Sequence, residues 1–163
     1  MNMKILAYML LAFSALLASC HREPIVVNAD EMAATKALNE KYHDLVVGHW
    51  QYFSQTEFTE ITQDITFKAD GNYNGHLLYR SRQQVMVGGK PVITDWTKQI
   101  DEDVEGQWEL MYSKSQNKNL LHLSSNSKIV LRDVGEFFDA TQSKLIIESP
   151  FMFKTERIEF TRK

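Results

Sequence analysis

The sequence predicts an all-β fold: an antiparallel up-and-down β-barrel with one N-terminal α-helix in front of it. Three observations carry that prediction. From Leu45 onward, apolar and polar residues alternate with period two, the pattern of half-buried strands. The alternating runs are joined by short polar connections, such as Asp70-Gly71-Asn72 and Gly88-Gly89-Lys90-Pro91, in which Gly and Asn tolerate positive φ. Eight or more such strands leave two edges exposed unless the sheet closes, which favours a barrel over an open sheet.

Taken in order, the chain opens on a leader. Lys4 supplies a charged start, Ile5 to Leu17 is apolar apart from Ser14, and Ala18 and Ser19 are small. These are the three parts of a secretory signal, and the apolar run is shorter than the roughly 20 residues needed to span a bilayer. Met1 to Ser19 is therefore set apart from the fold. Leu17-Ala18-Ser19-Cys20 ends it on the only cysteine of the chain. This run resembles the lipobox of bacterial lipoproteins. The resemblance implies a lipidated Cys20 as mature N-terminus, with the membrane as partner through that acylated residue. More than one acyl chain gives a stable anchor. The expected location is the cell envelope, and His21, in place of the aspartate that favours inner-membrane retention, points to the outer membrane.

About 144 residues follow the leader, one domain's worth. Residues 20–28 read as a tether and residues 29–163 as the domain. Asn28 has the character of a helix N-cap, and Glu31 three residues later completes a capping-box pattern. Ala34, Leu38, Tyr42 and Leu45 recur at helical spacing, so a helix is predicted from Ala29 to about His43. Glu60 to Lys68 then alternates, with Ile61, Ile65 and Phe67 on one face. Tyr73, Leu77 and Tyr79 share a face of the next strand. Further strands are predicted at Val85–Val87, Val92–Ile93, Gln107–Tyr112, Leu120–Ser124, Ile129–Arg132, Leu145–Ile147 and Thr155–Thr161.

Gly48-His49-Trp50 with Tyr52 opens the first strand directly after the helix, and Arg162 closes the last strand on the face of Ile158 and Phe160. This G-x-W-x-Y run resembles the signature of lipocalins and of the compact lipocalin-like domains of bacterial lipoproteins. The resemblance covers roughly Leu45 to Lys163. It implies that Gly48, Trp50 and Arg162 are structural, with Arg162 packed on the Trp50 face at the barrel floor. Thr94-Asp95-Trp96 echoes a second lipocalin motif, T-D-Y, but mid-chain, earlier than the family places it. The domain is also shorter than a full lipocalin.

The inward-facing residues admit two readings. Tyr52, Phe67, Leu77, Tyr79, Trp108 and Tyr112 can line a cavity for a small apolar or amphipathic ligand, such as a lipid, with tyrosine hydroxyls orienting it. The same residues can instead fill a solid core, as they do in small barrels. The alternative function is then a non-catalytic interaction module of the envelope that binds a protein or glycan.

Other chemistries find little in the sequence. With Lys4 removed, the formal charge of −3 becomes −4, and no basic stripe is present, which argues against nucleic acid. His49, His76 and His122 lie on three separate strands without metal-ligand spacing, so no metal is expected. Asp101, Glu102, Asp103 and Glu105 lack the spacing of a calcium loop and read as a solvated hairpin tip beside Gly106. No G-x-S-x-G run and no paired carboxylates appear, so neither an enzyme nor a cofactor is expected.

Overall fold

The computed structural model describes residues 28–125, 127–128, 133–148, 150 and 156–163. The leader, Cys20, most of the tether and the strand expected at Ile129–Arg132 lie outside the described residues. Helix α1 (Ala29–Val46) leads into ten strands among the described residues. They are β1 (Gly48–Gln55), β2 (Thr59–Phe67), β3 (Asn72–Ser81), β4 (Gln84–Val87), β5 (Lys90–Ile93) and β6 (Thr97–Ser113), then β7 (Lys118–Ser125), β8 (Val134–Ala140), β9 (Lys144–Glu148) and β10 (Arg157–Arg162). Eight of them close a barrel in the order β1-β10-β9-β8-β7-β6-β3-β2. The fold is thus the lipocalin-like class, an antiparallel barrel behind one helix, and closure leaves the sheet without a lone edge strand.

Period two explains which side chains fill the barrel. On β2, Ile65 and Phe67 are buried, and so is Gln63, which shares their parity. On β3 the buried residues are Tyr73 and Leu77, and on β6 they are Val104, Trp108 and Leu110. With Leu121, Leu123, Phe137, Leu145, Ile147, Ile158 and Phe160 they form one continuous cluster. Gly106 is required where β6 meets β7. A Cβ there would lie 1.9 Å from the Ser124 carbonyl oxygen and 3.0 Å from the Tyr73 ring.

Four expectations change. The hairpin at Gly88-Gly89 forms, but Lys90 and Pro91 belong to β5, and β4 and β5 pair only with each other, apart from the barrel. Their residues are apolar on both faces, so no one-sided pattern seats them on a core. Second, Asp101 to Glu105 is no hairpin tip. It lies within the 17-residue β6, paired with His76 to Leu78 and Asn74 of β3. Backbone pairing tolerates charge on a solvated face; Lys98 offsets part of it at Asp101, and His76 lies against Asp101 and Asp103. Third, β8 is an element that the alternation did not mark. Adjacent Phe137 and Phe138, and a register shift between Phe137 and Asp139, break its period.

The fourth change concerns α1, which runs to Val46, one turn past His43. Asn28 caps it through Asp30 N (3.1 Å), but Glu31 does not reach back to complete the box. Glu31 is drawn away by β6. Strand β3 starts at Asn72, opposite Gln107, so β6 continues past it with one side of its backbone unpaired by β3. Gly71 O accepts from Trp108 N (2.8 Å). The helix then takes over. Asn39 Nδ2 donates to Leu110 O (2.9 Å), Tyr112 N donates to Thr35 Oγ1 (2.9 Å), and Lys114 N donates to Glu31 Oε1 (2.9 Å). Four helical residues rise about 6 Å and two strand residues about 6.6 Å, so the two repeats stay in step. The helix is an edge guard as much as a lid.

Candidate functional site

The barrel floor is built from the two ends of the domain. Trp50 and Arg162 are register partners on β1 and β10. Trp50 is fully buried and its Nε1 donates to Val46 O (2.7 Å) at the end of α1. The Arg162 guanidinium lies 4.3 Å from the Trp50 ring centroid. Its Nη1 donates to Val47 O (3.0 Å) and its Nη2 to Leu45 O (2.6 Å). It thereby serves carbonyls that the helix end leaves without intrahelical donors. Gly48, at φ +148°, is needed for contact as well as conformation, because a Cβ would sit 2.2 Å from Arg162 Nη1. These groups are committed to one another and hold strand, strand and helix together.

The six residues proposed as ligand contacts do not share one cavity. Phe67, Leu77 and Trp108 are buried in the packed cluster, and Trp108 Nε1 donates to Lys68 O (2.9 Å) while His43 stacks on its ring at 5.3 Å. Tyr52 and Tyr79 are half-buried toward the far end, where Tyr79 pairs with Ile100 and Ile61. Tyr112 lies near the other end of β6, twelve positions from Ile100, or about 40 Å along the strand. The length of β6 separates residues that parity places on one face. Among the described residues the buried side chains form one contiguous cluster, with Tyr52, Ile61 and Ile100 packed half-buried against it.

Two clefts lie on the outside of the barrel. One of about 560 Å³ is polar, with Lys68, Asn74, Glu105, Gln107 and Ser124 in its walls. Tyr73 also borders it, fully buried, with its hydroxyl unpaired. Burial raises the Tyr73 pKa above the usual phenol value; the Ser125 hydroxyl opposes the shift without meeting it in hydrogen-bond geometry. The other cleft, about 540 Å³, is mostly apolar and runs between α1 and the outer face of β6 and β7. Met32 and Thr35 form its helix wall, and Met111, Tyr112 and Leu120 its sheet wall. Met111 and Leu120 are register partners on the outward parity of the sheet, Met111 half-buried and Leu120 buried, and Met32 is exposed. Lys36 and Glu109 give the rim charges of both signs. Tyr112 is the one sequence-proposed contact in this groove, and its Oη donates to Asn117 Oδ1 (2.8 Å). The Met32, Met111 and Leu120 contributions are invisible to parity alone, because they depend on where α1 lies.

The histidines stay apart. His49 faces Asp64 (3.5 Å), His76 faces Asp103 (2.8 Å) and Asp101 (3.2 Å), and His122 faces Glu109 (2.9 Å). Lys98, by hydrogen bond first, and then the charges of Lys98 and His76 hold Asp101 below the usual carboxylate range. Among the described residues no group of three or more His, Cys, Asp or Glu side chains is arranged to hold a metal ion, and no helix is long and apolar enough to cross a membrane. Comparison with protein-family models, with curated proteins and with solved structures finds no match to this chain.

Proposed function

We propose that this protein is a lipocalin-like lipoprotein of the cell envelope, anchored through Cys20, that binds a small apolar or amphipathic molecule without catalysis. One observation carries the binding part. The groove between α1 and the sheet has the volume and apolar lining of a small-molecule site, about 540 Å³ within the usual 300 to 1,000 Å³. Its two methionines are flexible and polarisable, which suits acyl chains of varied shape. The anchoring part rests on the lipobox resemblance and on the position of Asn28, which itself borders the groove and so puts the end of the tether beside it.

A second reading has its own observation. One contiguous buried cluster beside exposed apolar residues on β4 and β5 fits an interaction module that binds another envelope component. Native mass spectrometry of the protein purified from its host distinguishes the two. A co-purified species of lipid mass, lost from a Met32→Asp/Met111→Glu variant, supports the first reading. A stoichiometric protein or glycan adduct with no lipid supports the second.

A further inference from the structure

We infer that the β4–β5 hairpin is a docking element for an anionic lipid surface, independent of the ligand groove and of any anchor at Cys20. The eight strand residues of this hairpin are all exposed. Register places Val85, Val87 and Val92 with Lys90 on one face, and Met86, Pro91 and Ile93 with Gln84 on the other. Both faces are therefore mainly apolar, each with one polar residue, and Met86 is 67% and Val87 60% exposed. A two-stranded ribbon of this kind is marginal in water and buries neither face on the barrel. A flat protein surface would cover one face only. A bilayer interface covers both.

The surroundings fit that medium. Half-buried Trp96 follows the hairpin, with the Arg82 guanidinium 4.5 Å from its ring centroid. An aromatic ring at the base of an apolar insertion is the arrangement favoured at a membrane–water interface. Between Arg82 and Trp96 the chain carries Arg82 and Lys90 against Asp95 alone, whereas the chain as a whole is acidic. The hairpin thus presents the positive charge that an anionic headgroup layer attracts. Each strand is four residues, about 13 Å, which matches insertion to the headgroup–acyl boundary. The Lys90 stem is long enough to return its ammonium to the phosphates. The hairpin leaves the barrel where β3 passes to β6, while α1 starts beside Lys114 at the other end of β6.

The test uses residues 28–163, which contain the whole closed barrel and its helix but not Cys20. Co-sedimentation is measured with phosphatidylcholine vesicles, with and without phosphatidylglycerol. Trp50 and Trp108 are buried, so an emission shift reports on Trp96. The expected result is binding to the anionic vesicles with a blue shift, weakened by salt. Met86→Asp/Val87→Asp, at exposed positions that leave the barrel intact, is expected to weaken it about tenfold or more. Lys90→Glu is expected to weaken it on anionic vesicles. No binding by the parent domain, or equal binding by the Met86→Asp/Val87→Asp variant, overturns the inference. Equal binding to both vesicle types overturns the anionic preference. A hairpin-dependent dimer in sedimentation, without vesicle binding, assigns the patch to a second copy instead.

Discussion

Replacing Arg162 with Met tests the floor of the barrel most sharply. The change keeps an unbranched apolar stem and removes three interactions. Two are hydrogen bonds from a charged donor to the Val47 and Leu45 carbonyls, at 3.0 and 2.6 Å. The third is the contact with the Trp50 ring at 4.3 Å. A hydrogen bond to a charged group is worth about 1.5 to 3 kcal/mol, and a cation over an aromatic face about 0.5 to 2 kcal/mol. Arg162 is only half-buried and its Nε is unpaired, so the lower ends apply and the sum is not fully additive. A loss of about 2 to 4 kcal/mol is expected. For a domain of this size that corresponds to a fall in Tm of about 6 to 16 °C. Urea denaturation of residues 28–163 measures the free energy, and calorimetry the Tm. A Trp50→Phe/Arg162→Met cycle isolates the ring contact, with an expected coupling of about 0.5 to 1.5 kcal/mol. If Arg162→Met costs under about 1 kcal/mol, or the cycle shows no coupling, the clasp does not hold the floor and the structural role of Gly48, Trp50 and Arg162 fails.

Further outcomes follow from the same geometry. Trp50→Ala, at a fully buried aromatic, is expected to cost about 3 to 5 kcal/mol in the same denaturation experiment. Thr35→Val and Asn39→Leu each remove one edge-guarding bond and are expected to cost about 1 to 3 kcal/mol, with faster amide exchange at Tyr112 in the first case. Tyr73→Phe removes an unpaired buried hydroxyl and is expected to leave stability unchanged or slightly higher near neutral pH. Because the fold raises the Tyr73 pKa, the unfolded chain loses this proton first; titration of this group leaves stability unchanged below about pH 10 and lowers it above, and Tyr73→Phe flattens that alkaline decline. Cys20→Ser is expected to leave the protein unacylated by mass spectrometry and to deplete it from the membrane fraction, with any remainder, held through the hairpin, released by salt.

Much of the fold could be read because local chemistry determined it. The alternation of Ile61, Ile65 and Phe67 marked β2, and Asp70-Gly71-Asn72 marked its turn, with Gly71 at φ +80°. The lipocalin resemblance implied that Arg162 packs on Trp50, and the two are register partners on β1 and β10. Where the governing contact was remote, local chemistry was silent. Nothing near Glu31 indicates that Lys114, 83 residues away, takes its carboxylate from the capping box. Phe137-Phe138 hid β8 because a bulge there breaks the period. Val85-Met86-Val87 marked a strand, yet its lack of alternation was also the sign that no barrel face receives it. The candidate site followed the same division. Inward parity proposed Tyr112 for the barrel interior, whereas it borders the outer groove, where Met32, Met111 and Leu120 join it only through the placement of α1 along β6.

Titration of residues 28–163 with a fluorescent fatty-acid analogue tests the ligand groove most directly. The account predicts saturable binding, displaced by unlabelled fatty acid and little changed by salt, because buried apolar area supplies the affinity. It also predicts loss of most of that binding in Met32→Asp/Met111→Glu, with far-ultraviolet circular dichroism unchanged, and retention in the hairpin variant Met86→Asp/Val87→Asp. Absence of saturable binding to the folded domain, or undiminished binding by the groove variant, would contradict it.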